Sequence, residues 1–147
     1  MVIFKKKSKF IIKIKIFNFI MSCLFNSLSH HIPNLDSTTI RNMICDYLQN
    51  NNPIIEDLST NIILELEDPF YVKKMRGFST WGGAIEIQAA CNIWSMRIIV
   101  VNKRDSVLNR YNIGHVINNN EIEFIPISKN INRTVYLEWT GGHYEPI

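Results

Sequence analysis

The chain has 147 residues, enough for one domain around a single core. With 46% hydrophobic and 20% charged residues it is too apolar for disorder, and its net charge of +3 owes much to Lys5, Lys6, Lys7, Lys9, Lys13 and Lys15. The remainder is near neutral, which excludes a broad basic face for nucleic acid; three irregularly spaced cysteines exclude a disulfide framework, and no Cys/His set has zinc-ligand spacing.

Basic residues before an apolar stretch suggest a signal peptide at the start, but Lys13 and Lys15 interrupt the run and no small-residue cleavage site follows. The same interruption rules out a membrane span there, which needs about 20 apolar residues. Residues 12–16 alternate Ile-Lys-Ile-Lys-Ile, a pattern that fits a half-exposed strand and whose composition also fits disorder. Residues 1–19 are therefore expected to be an extension of a domain at 20–147. Their Ile, Lys, Phe and Asn have AT-rich codons, as translated non-coding sequence or a misplaced start would produce. A membrane-surface role, with the lysines meeting anionic lipid, is a further reading.

Cys23–His31 reads as a short helix with Leu24 and Leu28 on one face. Ser37 or Asp36 can cap the next, where Ile40, Met43, Ile44, Tyr47 and Leu48 recur at helical spacing until "NNNP" stops it. "EDPFYVKKMRG" predicts another short helix, with Asp68 as cap, Pro69 in the first turn and Gly77 as stop. "WGGAIEIQAACNIW" predicts a helix after a glycine pair, and "MRIIVVN" a central strand. "EIEFIPI" is a strand closed by Pro126; "RTVYLEW", "TGG" and "HYEPI" form a strand, a turn and a last short strand. Helices first and strands late predict an α+β fold.

A lone cysteine is ordinarily a core residue, and Cys45 and Cys91, within apolar helices, are read that way. Cys23 differs because it opens a helix, where unpaired N–H groups and the dipole favour a thiolate. His143 follows two glycines and begins a terminal strand, so Glu145 shares its face at i+2. A carboxylate that orients a histidine, which takes a thiol proton, is triad logic in the order Cys, His, acid found in papain-like enzymes. An odd number of free thiols suits a reducing compartment, with the cytoplasm expected and the nucleus allowed.

"CLFNSLSHHI", "IRNMICDYLQNN", "YVKKMRGFSTWGGAIEIQAACNIWSMRIIVVN" and "YLEWTGGHYEPI" resemble, in order, four segments of the ovarian-tumour (OTU) cysteine proteases. The resemblance implies a papain-like fold, a small central sheet flanked by helices, and a deubiquitinase that needs no cofactor or metal. Its partners would be ubiquitin or polyubiquitin conjugates, with neither nucleic acid nor a membrane span, and the chain a monomer. Carried over, Cys23 matches the nucleophile, His143 the general base and Glu145 the orienting acid. Trp81, Gly82 and Gly83 match the channel for ubiquitin's tail, where a Gly-Gly end needs a narrow slot. Glu86 reads as a first-turn carboxylate answering the helix dipole, and His30, His31 and His115 match no catalytic position.

One departure stands out. The family's nucleophile loop reads Asp-Gly-x-Cys, and here those places hold Ile20, Met21, Ser22 and Cys23. Met21 and Ser22 would then form the oxyanion loop, where losing one donor costs about 10²–10³ in rate. If the glycine place needs φ > 0, Met21 adds strain of about 1–3 kcal/mol. A ubiquitin-binding module of impaired turnover is the alternative this departure raises.

Overall fold

The computed structural model describes residues 21–147 except Ser79, residues 103–112 and Asn119. The extension at 1–19, with its alternating stretch at 12–16, lies outside them. Helices α1 (Cys23–His31), α2 (Ser37–Gln49), α3 (Thr60–Glu67), α4 (Tyr71–Arg76) and α5 (Ala84–Trp94) come first. Strands β1 (Met96–Asn102), β2 (His115–Asn118), β3 (Glu121–Phe124), β4 (Arg133–Trp139) and β5 (Tyr144–Pro146) follow. The fold is mixed α+β, one sheet in the order β2-β3-β1-β4-β5 with helices packed on it.

Strand β1 is central, as its β-branched run predicts, antiparallel to β3 and parallel to β4. Ile98 lies opposite Phe124 and Val135, and Val100 opposite Leu137, so one sheet face is continuous apolar surface. Leu24, Phe25 and Leu28 of α1, Ile40, Ile44 and Leu48 of α2 and the buried side of α5 join it in one core. Asp36 caps α2 by accepting the Thr39 N–H at 2.7 Å. Strands β4 and β5 close a hairpin, Trp139 opposite Tyr144. Its turn needs Gly141 at φ +98°, a conformation that L side chains resist.

Three elements differ from expectation. Helix α4 begins at Tyr71, because Asp68 Oδ1 accepts the Phe70 N–H at 2.7 Å and closes a local turn instead of capping the helix. Helix α3 was not predicted: Ile63 and Leu64 are buried while Ile62 and Leu66 are exposed, so no clean stripe marks it. Strand β2 was not predicted either, since all four of its residues are exposed at the sheet edge and show no alternation.

Candidate active site

Three chain segments far apart in sequence converge at the start of α1. Cys23 is the first residue of that helix and 5% exposed. The first-turn amides of a helix have no partner within it, so they point at whatever sits on its end. Strand β5 packs on α1, and the Tyr144 amide donates to Cys23 Sγ at 3.4 Å across 121 residues of sequence. Burial pushes the Cys23 thiol up, while the Tyr144, Leu24 and Cys23 amides and the Arg41 charge pull it back.

His143 stands beside Tyr144, and its Nε2 lies 3.2 Å from Glu145 Oε1. A carboxylate only accepts, so a proton on Nε2 would face Glu145 and leave the Nδ1 lone pair for the thiol. Cys23, His143 and Glu145 line one 190 Å³ cavity together with Asn26, Ser27 and His30. The structure thus brings the predicted three together. Among the described residues no hydrogen bond joins the thiol to the imidazole; the Tyr144 amide holds the sulfur instead.

A second cavity of 140 Å³ also ends on Cys23. Trp81, Gly82 and Gly83 line one side and Trp139, Gly141 and Gly142 the other. Both lining segments pair a tryptophan with glycines, which present flat surface and little side-chain bulk to the cavity. The first wall was predicted and the second was not, although "EWTGG" repeats the residue types of "STWGG". At Gly82 an added Cβ would stand 2.6 Å from Leu24 Cδ2 and 3.0 Å from Phe25 Cζ, so a side chain here would have to displace Leu24 for the loop to keep lying on α1. At Gly83 nothing lies within 4 Å of such a Cβ.

Glu86 lies in the first turn of α5, as expected, and it is buried there. Its Oε1 accepts the Gly83 N–H at 2.8 Å and its Oε2 the Tyr71 hydroxyl at 2.7 Å, and burial raises its pKa to about 7. Met21 is helical and is not among the residues of positive φ, so the strain considered for it does not arise. Ser22 is buried at the α1 cap position. His30 and His115 are exposed, and His31 Nε2 meets the Tyr136 carbonyl at 3.1 Å on the side of the sheet. Cys45 and Cys91 are buried core thiols. Among the described residues no His/Cys/Asp/Glu group is placed to hold a metal, and no helix is long and apolar enough to cross a membrane.

The sequence profile of the OTU-like cysteine proteases matches residues 22–144. The chain belongs to this family. Its OTU fold is similar to an ovarian-tumour domain solved in complex with ubiquitin (TM-score 0.61, 24% identity, 85% of this chain and 62% of that one). It is also similar to the viral OTU protease of Dera Ghazi Khan virus (TM-score 0.58, 19% identity, 85% and 72%). In sequence it is 25% identical over 130 residues to ubiquitin thioesterase OTU1 of Drosophila pseudoobscura pseudoobscura, covering 86% of this chain and 31% of that protein. It is 33% identical over 96 residues to ubiquitin thioesterase otu2 of Schizosaccharomyces pombe, covering 59% and 31%. The OTU chain therefore spans about a third of the length of these relatives.

Proposed function

We propose that this chain is a cysteine-type deubiquitinase that hydrolyses the isopeptide bond after the C-terminal glycine of ubiquitin. The observation that carries this reading is the position of Cys23, at the floor of a Trp/Gly-walled slot and in one cavity with the paired His143 and Glu145. The relatives named ubiquitin thioesterase and the similar domain bound to ubiquitin support it.

In this reading ubiquitin's Gly-Gly end lies extended between the walls, with the scissile carbonyl over Cys23. His143 Nδ1 takes the thiol proton as sulfur attacks the carbonyl carbon, and Glu145 steadies the imidazolium from the Nε2 side. Amides of the Met21–Cys23 segment, at the helix N-terminus, stabilise the oxyanion. The tetrahedral intermediate collapses, the lysine amine leaves with the proton from His143, and ubiquitin remains as a thioester on Cys23. Water, deprotonated by the same histidine, then releases the carboxylate and restores the thiol. Ubiquitin or polyubiquitin conjugates are the proposed partners of a monomeric protein. Three free cysteines support a reducing compartment, the cytoplasm or nucleus.

A ubiquitin probe with a C-terminal electrophile is expected to label one cysteine, and Cys23→Ala to abolish the adduct. Labelling that survives this change, or moves to Cys45, removes the assignment. The second reading is a ubiquitin-binding module, favoured by Ile20-Met21 in place of Asp-Gly and by a thiol whose pKa burial pushes up. Saturable ubiquitin binding without adduct or cleavage of any linkage would decide for it.

A further inference from the structure

We infer that Arg41 is a positioning residue of this reaction: its guanidinium ties the backbone just before the nucleophile to the backbone just before the slot wall. The inference rests on the proposed hydrolase reading. Arg41 sits on the buried face of α2, 1% exposed, among Ile40, Ile44, Cys45 and Leu48. Nη2 donates to the Met21 carbonyl at 3.3 Å and to Ser22 Oγ at 3.1 Å. Nη1 donates to the Thr80 carbonyl at 2.9 Å and the Met75 carbonyl at 2.8 Å. The guanidinium lies over the Phe25 ring, 4.1 Å from its centroid. One planar group therefore joins the residues before Cys23, the residue before Trp81 and the end of α4.

These bonds also hold the fold together, but they do not by themselves call for a charge here. Among the described residues no carboxylate forms an ion pair with Arg41, and a buried guanidinium lacking one carries a desolvation penalty that a leucine or methionine would avoid. What a hydrocarbon lacks is a rigid fork with donors on two sides, and lysine offers only a point charge on a flexible stem. The anchored segments are the two that must keep register: Met21–Ser22 lead into the nucleophile, and Thr80 leads into the Trp81 wall. A displacement of about 1 Å at such a site costs about 10²-fold in rate. The guanidinium charge also opposes the effect of burial on the Cys23 thiol.

The test compares the wild type with Arg41→Lys, Arg41→Met and Ile44→Val, the last a core change on the same helix outside the site. The readouts are kcat and KM on a ubiquitin C-terminal fluorogenic substrate, Tm, iodoacetamide alkylation of Cys23, and amide exchange at residues 21–23 and 80–82. Arg41→Lys is expected to lower kcat by about tenfold and Arg41→Met by about 100-fold, with KM within about twofold of wild type. Amides on both sides of the tether should lose protection together, and Ile44→Val should lower Tm without changing kcat. Wild-type kcat in folded Arg41→Met, or a kcat loss that Ile44→Val reproduces at equal Tm loss, overturns the inference. Should Arg41→Met not fold, Arg41→Lys carries the same comparison. A wild type that does not cleave ubiquitin defeats the hydrolase reading alone. In that case exchange and alkylation still judge the tether, and wild-type values of both in a folded Arg41 variant overturn it.

Discussion

The two walls of the slot are made of the same residue types and held in opposite ways. The Trp81–Gly83 wall leaves Trp81 49% exposed but is anchored to the core through its backbone: Gly82 lies on Leu24 and Phe25, Arg41 grips the Thr80 carbonyl, and Glu86 holds the Gly83 amide. The Trp139–Gly142 wall is the turn of the terminal hairpin, closed by the Thr140 N–H on the His143 carbonyl at 3.1 Å and by the Trp139 and Tyr144 rings. An added Cβ at Gly142 would meet nothing within 4 Å. One wall is fixed by packing and buried polar bonds, while the other carries the histidine on a turn that solvent reaches. The proposed proton chemistry thus sits on the hairpin side of Cys23 and the tethering that positions the nucleophile on the core side, and substitutions should separate them.

The largest effect should come from the hairpin side. His143→Ala removes the proposed base, worth about 10²–10⁴ in rate, or about 3–5 kcal/mol of barrier. The side chain is 37% exposed and its contact with Glu145 is at the surface, so Tm should barely move. Turnover and melting of one preparation check both halves, and a large fall in Tm would break the comparison.

The core-side wall should instead show its charge chemistry in stability. Burial raises the Glu86 carboxyl from 4.5 to about 7, so the folded state binds more protons than the unfolded state between those values. Stability from this residue is then fully present below about pH 4.5 and is lost as the pH rises through about 7, by up to about 3 kcal/mol. His31, whose pKa burial lowers, works in the opposite direction near its ordinary value of 6.5. Denaturation of wild type and Glu86→Gln at matched pH values isolates the carboxylate. The variant should gain on the wild type from pH 5 to pH 8, and a constant difference would deny Glu86 this role.

The smallest contrast is the most local. Gly82→Ala forces a methyl group against Leu24 and Phe25 and should cost about 1–3 kcal/mol, and under the proposed function should weaken ubiquitin binding as the wall shifts. Gly142→Ala, on the open wall, should stay within about 0.5 kcal/mol. Equal costs in chemical denaturation would mean that the two walls are held alike.

Much of this was legible because its causes are local. Helical spacing from Ile40 to Leu48, the β-branched run at 98–101 and the i, i+2 relation of His143 and Glu145 each depend on residues within a few places of one another. The order of cysteine, histidine and acid also needs no folding to be read. Helix α3 and strand β2 escaped because their exposed apolar residues hide any period. Arg41 stands at core spacing with Cys45 and Leu48 and at the arginine place of the family's helix pattern, but neither signal says which backbone it holds. Tertiary structure alone decided that Tyr144 would cover the Cys23 sulfur, that a second Trp/Gly wall would face the first, and that one guanidinium would join both approaches to the nucleophile. These are contacts between segments up to 121 residues apart, and no pattern along the chain encodes a distance that only packing creates.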